Sequence, residues 1–138
     1  MKTPLWITIV AFLLIALFIA NGTFMLVAPE SWYWAVPGVP DTGPFNQHLI
    51  RDVGFVYVVT GIAFALGVLQ PQHRVGLWGV SAAWHICHAL FHVWEVIVGI
   101  CGPEALARDF MGVTLPSILA VVLAVWSWRR SPALPSQA

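Results

Sequence analysis

An all-α integral membrane protein, a four-helix bundle with both termini in the cytoplasm, is the architecture this chain spells out. Of its 138 residues 59% are hydrophobic and 9% charged, where soluble domains carry roughly 25% charged residues. Apolar stretches at 5–28, 48–69, 75–100 and 107–128 are each near or above the roughly 20 residues that cross a hydrocarbon core. The basic residues cluster on one side of a chain threaded through four crossings. No alternating barrel pattern is present, so helices must satisfy the backbone in lipid.

The first stretch follows Lys2 and has small residues near Ala20, as a secretory leader would. Its apolar part exceeds the usual core of roughly 7–15 residues, so it reads as a retained first crossing. A long outer loop, 29–47, is rich in Pro, Gly and Trp, and Gly43-Pro44 supplies a start for the second helix. Gln70-Pro71-Gln72-His73 is a compact turn between the second and third helices. The third helix runs over 75–100 and the fourth over 107–128, and the tail 131–138 is expected to be disordered. The whole of 1–138 makes one membrane domain.

Lys2, Arg74, Arg129 and Arg130 fall on one side of this threading. Arg51 and Arg108 fall on the other, with Glu30, Asp41, Asp52, Glu104 and Asp109. The excess of basic residues places both termini inside a multi-pass protein of the cell inner membrane. Trp32, Tyr33, Trp34, Trp126 and Trp128 stand where an aromatic belt would lie. Zero formal net charge gives no reason to expect nucleic acid as a partner. Cys87 and Cys101, read as lying on one helix fourteen residues apart, are too distant for a disulfide, at roughly 21 Å. Cys87 also points away from the histidine face and reads as a small apolar residue.

The third helix carries His85, His88, His92 and Glu95. At about 100° per residue all four fall within an arc of about 80°. Ionisable groups are expensive inside a bilayer, so one face carrying four of them needs an explanation. His48 and Asp52 share a face of the second helix at i, i+4. By rise per residue Asp52, His92 and Glu95 lie within roughly one turn of one another in depth. Asn21 and Thr114 reach a similar level, so every helix can bring a polar group to one cluster in the outer half. His73 is left out, because it sits in the cytoplasmic turn.

The leading expectation is a metal centre on His48, Asp52, His85, His88, His92 and Glu95. Imidazole is the commonest protein metal ligand, and this histidine-rich set suits Cu, Fe or Zn. Such a centre would make the protein a redox or metal-dependent enzyme acting on a lipophilic substrate. Asp52 or Glu95 would then be the catalytic carboxylate that handles protons while the metal activates water or oxygen. Haem b is the next cofactor, with His48 and either His88 or His92 as axial ligands. A proton relay through His85, His88 and His92 is a further reading, although the inner half offers it no continuing polar path. The bland alternative is a non-catalytic accessory or transport subunit whose polar seam holds helices together. No nucleophile elbow, phosphate loop or dinucleotide fingerprint occurs.

The entry to the second helix, Arg51-Asp52-x-Gly54-x-x-Tyr57, together with size and spacing, resembles the small four-helix bacterial membrane proteins of the DoxX-like kind. The resemblance covers most of the chain as architecture and about a dozen residues as motif. It implies a four-helix bundle of a functionally diverse group, some members of which are associated with respiratory or thiol-redox complexes. The His85-x-x-His88-x-x-x-His92-x-x-Glu95 run does not map onto that group's pattern, so no functional residue is carried over. Partners expected are the lipid bilayer, a lipophilic small molecule, and a second copy or another membrane-complex subunit. Gly54, Gly61, Gly67, Gly76 and Gly79 would permit close helix contacts.

Overall fold

The computed structural model describes residues 3–131. Lys2 and positions 132–138 of the expected tail lie outside the described residues. Helices α1 (Leu5–Val27), α2 (Pro29–Ala35), α3 (Gln47–Leu69), α4 (Arg74–Ile97), α5 (Glu104–Asp109) and α6 (Leu115–Arg129) follow in order, and no strand occurs among the described residues. Among the described residues, three helices are long and apolar enough to cross a membrane: α1, α3 and the continuous stretch Glu104–Arg129. Helix α4 is as long as these, at 24 residues, but its histidines and Trp residues dilute its apolar character. The outward faces carry Phe12, Leu13, Val59, Ile62, Val80, Leu90, Ile118 and Val122. An apolar belt of that size has no favourable contact with water, and lipid is its fitting solvent.

Helix α1 packs on α3, α3 on α4, α4 on α6, and α6 returns to α1. The α1/α3 seam is close because of glycine. A Cβ at Gly22 would stand 2.6 Å from the Gly54 carbonyl oxygen, and one at Gly61 would stand 2.7 Å from Ile19. Gly67 makes room for the Trp78 indole, whereas Gly76 and Gly79 face open space and bring no helix near. Phe18, Phe64, Trp78, Leu14, Ile7 and Leu123 fill the centre.

Arg74 ties one end together. Its Nε donates to the Gly67 carbonyl at 2.8 Å and a terminal nitrogen donates to Thr3 Oγ1 at 3.2 Å. Its guanidinium also lies over the Trp78 ring at 4.8 Å and the Trp126 ring at 5.7 Å. Arg129 and Arg130 stand at this same end, hereafter the basic end. Replacing Arg74 by methionine would strand the Gly67 carbonyl and remove a charge-assisted bond, a loss of about 2 kcal/mol. A correspondingly lower midpoint in thermal unfolding of the detergent-solubilised protein checks this.

The opposite end differs from the sequence reading in three places. The loop 29–47 holds helix α2 and a 3-10 turn at Val39–Thr42. Pro29 pushes Ala28 out of helical geometry (φ −136°) and then starts a new helix itself. Helix α3 starts on Asn46, whose side chain accepts from the His48 and Leu49 amides at 3.1 Å. Helix α4 stops at Ile97 and not at 100. Gly99 takes φ +78°, and the Ile100 and Cys101 amides turn back onto the Glu95 carbonyl at 2.9 and 3.3 Å. Cys101 is therefore in a loop, not on the helix of Cys87, and both thiols are free.

The last long helical stretch, Glu104–Arg129, is not uniform either. Between α5 and α6 the turns widen to a π-helix over Phe110–Thr114. Pro116 supplies the cause: it has no amide to offer the Gly112 carbonyl four residues back. Ser117 Oγ, one residue on, lies 2.7 Å from the Val113 carbonyl and 2.9 Å from the His85 carbonyl, and its single proton can tie the start of α6 to α4.

Candidate functional site

Three histidines climb α4 on the face turned into the protein. His85 is at the centre, 2% exposed. Its ring stacks on Phe18, with centroids 3.8 Å apart and planes 14° apart. Its Nε2 shares a 3.1 Å hydrogen bond with Thr60 Oγ1, while that hydroxyl also lies 3.0 Å from the Tyr57 carbonyl. The hydroxyl has one proton. With that proton on the Tyr57 carbonyl, the imidazole is the donor; with the proton turned to His85, the imidazole is the acceptor. Thr60 can thus serve either tautomer.

His88 occupies the next turn. It stacks on Trp84 at 5.2 Å and meets the edge of Tyr57 at 6.3 Å. Tyr57 also packs against His85 at 5.4 Å and Phe18 at 5.9 Å. The His92 ring stands across His88 with 4.8 Å between centroids. His92 Nδ1 then donates to Asp109 Oδ2 at 2.9 Å. A carboxylate accepts at that distance, so Nδ1 holds the proton and Nε2 is left as the basic nitrogen.

Asp109 is held from its other side. Arg108 Nε donates to Asp109 Oδ1 at 2.9 Å, and its terminal nitrogen reaches Asp41 at 3.7 Å. The Arg108 guanidinium lies directly against Gly38, which has φ +85° and no side chain to displace it. Asp41 and Arg108 are 77% and 28% exposed, Asp109 and His92 14% and 24%. A polar chain therefore starts at the surface and passes Asp41, Arg108, Asp109 and His92 on its way to His88. The π-helix begins at the residue after Asp109, and such widened turns gather at functional sites.

The expected six-residue constellation divides in two. His85, His88 and His92 share the buried face of α4 as expected, and Glu95 is buried beside them at 9% exposure but joins no ion pair among the described residues. His48 and Asp52 stay apart from them. They pair with each other at 3.2 Å and are 87% and 59% exposed. The reason is azimuth. Tyr57, Thr60 and Phe64 form the inward face of α3, and His48 stands about 180° and Asp52 about 140° from Tyr57 around that helix. Equal depth does not bring groups together when they face opposite ways. His48 is accordingly not opposed to His88 or His92 as a haem axial pair would be.

Among the described residues, no three His, Cys, Asp or Glu side chains stand together closely enough to hold a metal ion. Asn21 also leaves the expected cluster, since its side-chain oxygen accepts from Trp32 Nε1 at 2.9 Å. Arg51 donates through Nε to the Leu26 carbonyl at 3.2 Å and closes the end of α1. The Arg51, Gly54 and Tyr57 positions of the entry motif are thus explained by helix joining and packing.

Asp109, Arg108 and Thr60 were missed as partners of the histidines. Asp109 was within reach of the sequence, because it lies at the same level as His92 at the start of the last crossing. A groove between α3 and α4 continues from Thr60 towards the basic end. It is lined by Val59, Ala63, Leu66, Leu77 and Val80, with Thr60, Ser81, Gln70 and His73 as its polar members. No family model, curated protein or solved structure matches this chain.

Proposed function

We propose that the protein is a four-helix subunit of the cell inner membrane, with both termini inside, that relays protons across the membrane between its outer face and the groove that runs to its basic end. The observation that carries this reading is the 2.9 Å bond from His92 Nδ1 to Asp109, made where the polar chain from the surface reaches the histidines. A carboxylate that fixes Nδ1–H sets the tautomer and steadies the imidazolium that forms when Nε2 takes a proton. His88 and His85 extend the line along α4, and Thr60 links His85 to the groove. Ser81, Gln70 and His73 give that groove the polar members the inner half was expected to lack. A respiratory or thiol-redox complex, of the kind with which some DoxX-like proteins are associated, would be a fitting consumer of such protons.

Reconstitution tests the relay. Vesicles holding the purified protein, an internal pH dye and a potassium gradient set by an ionophore should exchange protons faster than protein-free vesicles. His92→Phe, which keeps a planar ring without nitrogen, should fall to the protein-free rate. A parental protein no faster than empty vesicles overturns the proposal.

A second reading keeps the metal centre in reduced form. His92, with Nδ1 bound to Asp109, has the carboxylate partner that metal-bound histidines use, and His88 is its neighbour at 4.8 Å. Copper, iron or zinc bound there would need ligands from a substrate or partner to complete its shell. Elemental analysis separates the readings: a near-stoichiometric metal lost in His88→Ala and His92→Ala but kept in His48→Ala supports the centre. A folded, metal-free protein that still relays protons rejects it.

A further inference from the structure

We infer that the outward face of α6 at the basic end is a binding site for one anionic phospholipid. This rests on the membrane reading but not on the proton relay. Val122, Val125, Trp126 and Arg129 follow one another at i, i+3, i+4 and i+7, so they form a single stripe along the helix. With Val121 and Arg130 they line a shallow groove that is apolar along its length and doubly cationic at its end. The helix turns its other side, with Pro116, Ala120, Leu123 and Ser127, into the protein. Val122, Val125 and Arg129 are exposed and Trp126 is half-buried against Arg74, so the stripe faces the bilayer along its Val122, Val125 and Arg129 edge, where an acyl chain lies alongside it and a headgroup phosphate reaches the guanidinium pair.

Charge decides the kind of lipid. All six acidic residues of the chain belong to the opposite end: Glu30, Asp41, Asp52, Glu95, Glu104 and Asp109. Residues 1–2 and 132–138 contain no Asp or Glu either. Arg129 and Arg130 are exposed and join no ion pair among the described residues. Arg74, by contrast, is buried at 8% exposure, donates to Gly67 and Thr3 and lies against two tryptophans, so it is not part of the outward pair. Two adjacent guanidinium groups without a carboxylate suit a phosphate that carries net negative charge. A zwitterionic headgroup brings its own cation and loses that advantage.

Native mass spectrometry of the intact protein in detergent, with phosphatidylglycerol and phosphatidylcholine supplied together, tests the site. The expected result is one retained phosphatidylglycerol per chain, with binding roughly thirtyfold weaker in Arg129→Gln/Arg130→Gln. Both positions are exposed, so the double variant should fold as the parent does. Val122→Trp, which fills the groove and leaves the arginines, should also lose the lipid. Equal retention of both lipids, or a double variant that holds phosphatidylglycerol as the parent does, overturns the inference. Inorganic phosphate added alone should not raise the thermal midpoint. If it matched the lipid's effect, the groove would have no part and the site as inferred would fail.

Discussion

Gly22→Leu is expected to cost about 3 kcal/mol of stability, the upper end for overpacking a tight contact. The α1/α3 seam has no slack at this point. Even the first added carbon at Gly22 would meet the Gly54 carbonyl, the Tyr57 Cβ at 2.9 Å and the Val58 methyl at 2.9 Å. Backbone cannot rotate out of the way as a side chain can, so α1 would have to lift from α3. Phe18, one turn away on α1, would then leave its stacked position on His85. A monodisperse parent and an aggregated or early-melting Gly22→Leu protein, compared by size-exclusion chromatography and thermal unfolding, is the expected contrast. Gly76→Ala serves as the control. A Cβ there meets nothing within 4 Å, and a helical alanine in place of glycine should stabilise by about 0.4–1 kcal/mol. Equal melting of the Gly22→Leu and parental proteins would show that α1 and α3 do not approach this closely.

These glycines also show how far the sequence could be read. Gly54, Gly61, Gly67, Gly76 and Gly79 look alike in the chain, yet the first three make close contacts and the last two face open space. Spacing along one helix reveals which residues share a face, and that sufficed for His85, His88 and His92. It does not reveal which way another helix is turned about its own axis. His48 and Asp52 had the right depth and the wrong azimuth, and their exposure followed from that. The signal was present in α3 itself, since Tyr57, Thr60, Gly61 and Phe64 make up its buried face and His48 lies across from them. Pro29 and Pro116 acted through the backbone. One opened a short helix inside what read as a loop, and the other widened the turn after Asp109. The Asp109 partnership depended on where that widened turn placed a carboxylate, which hydrophobic periodicity alone does not encode.

Asp109→Asn should slow proton exchange at least about a hundredfold, the lower range for removing one positioned acid–base partner. The amide is nearly the same shape, so the packing around His92 changes little. What changes is charge: an amide oxygen still accepts from Nδ1–H, but it no longer steadies an imidazolium. Arg108 loses an anionic acceptor in the same step and keeps only the longer contact to Asp41. Arg108→Gln separates these two consequences. It releases the loop at Gly38 and Asp41 while leaving the His92–Asp109 bond in place, so it should slow exchange less than tenfold, as expected for the loss of a single outlying charge. His92→Phe/Asp109→Asn should be no slower than His92→Phe alone, because the two groups act as one unit. Parental rates in Asp109→Asn would remove the carboxylate from the relay. An Arg108→Gln protein as slow as Asp109→Asn would instead assign the effect to the loop that Arg108 holds over the site.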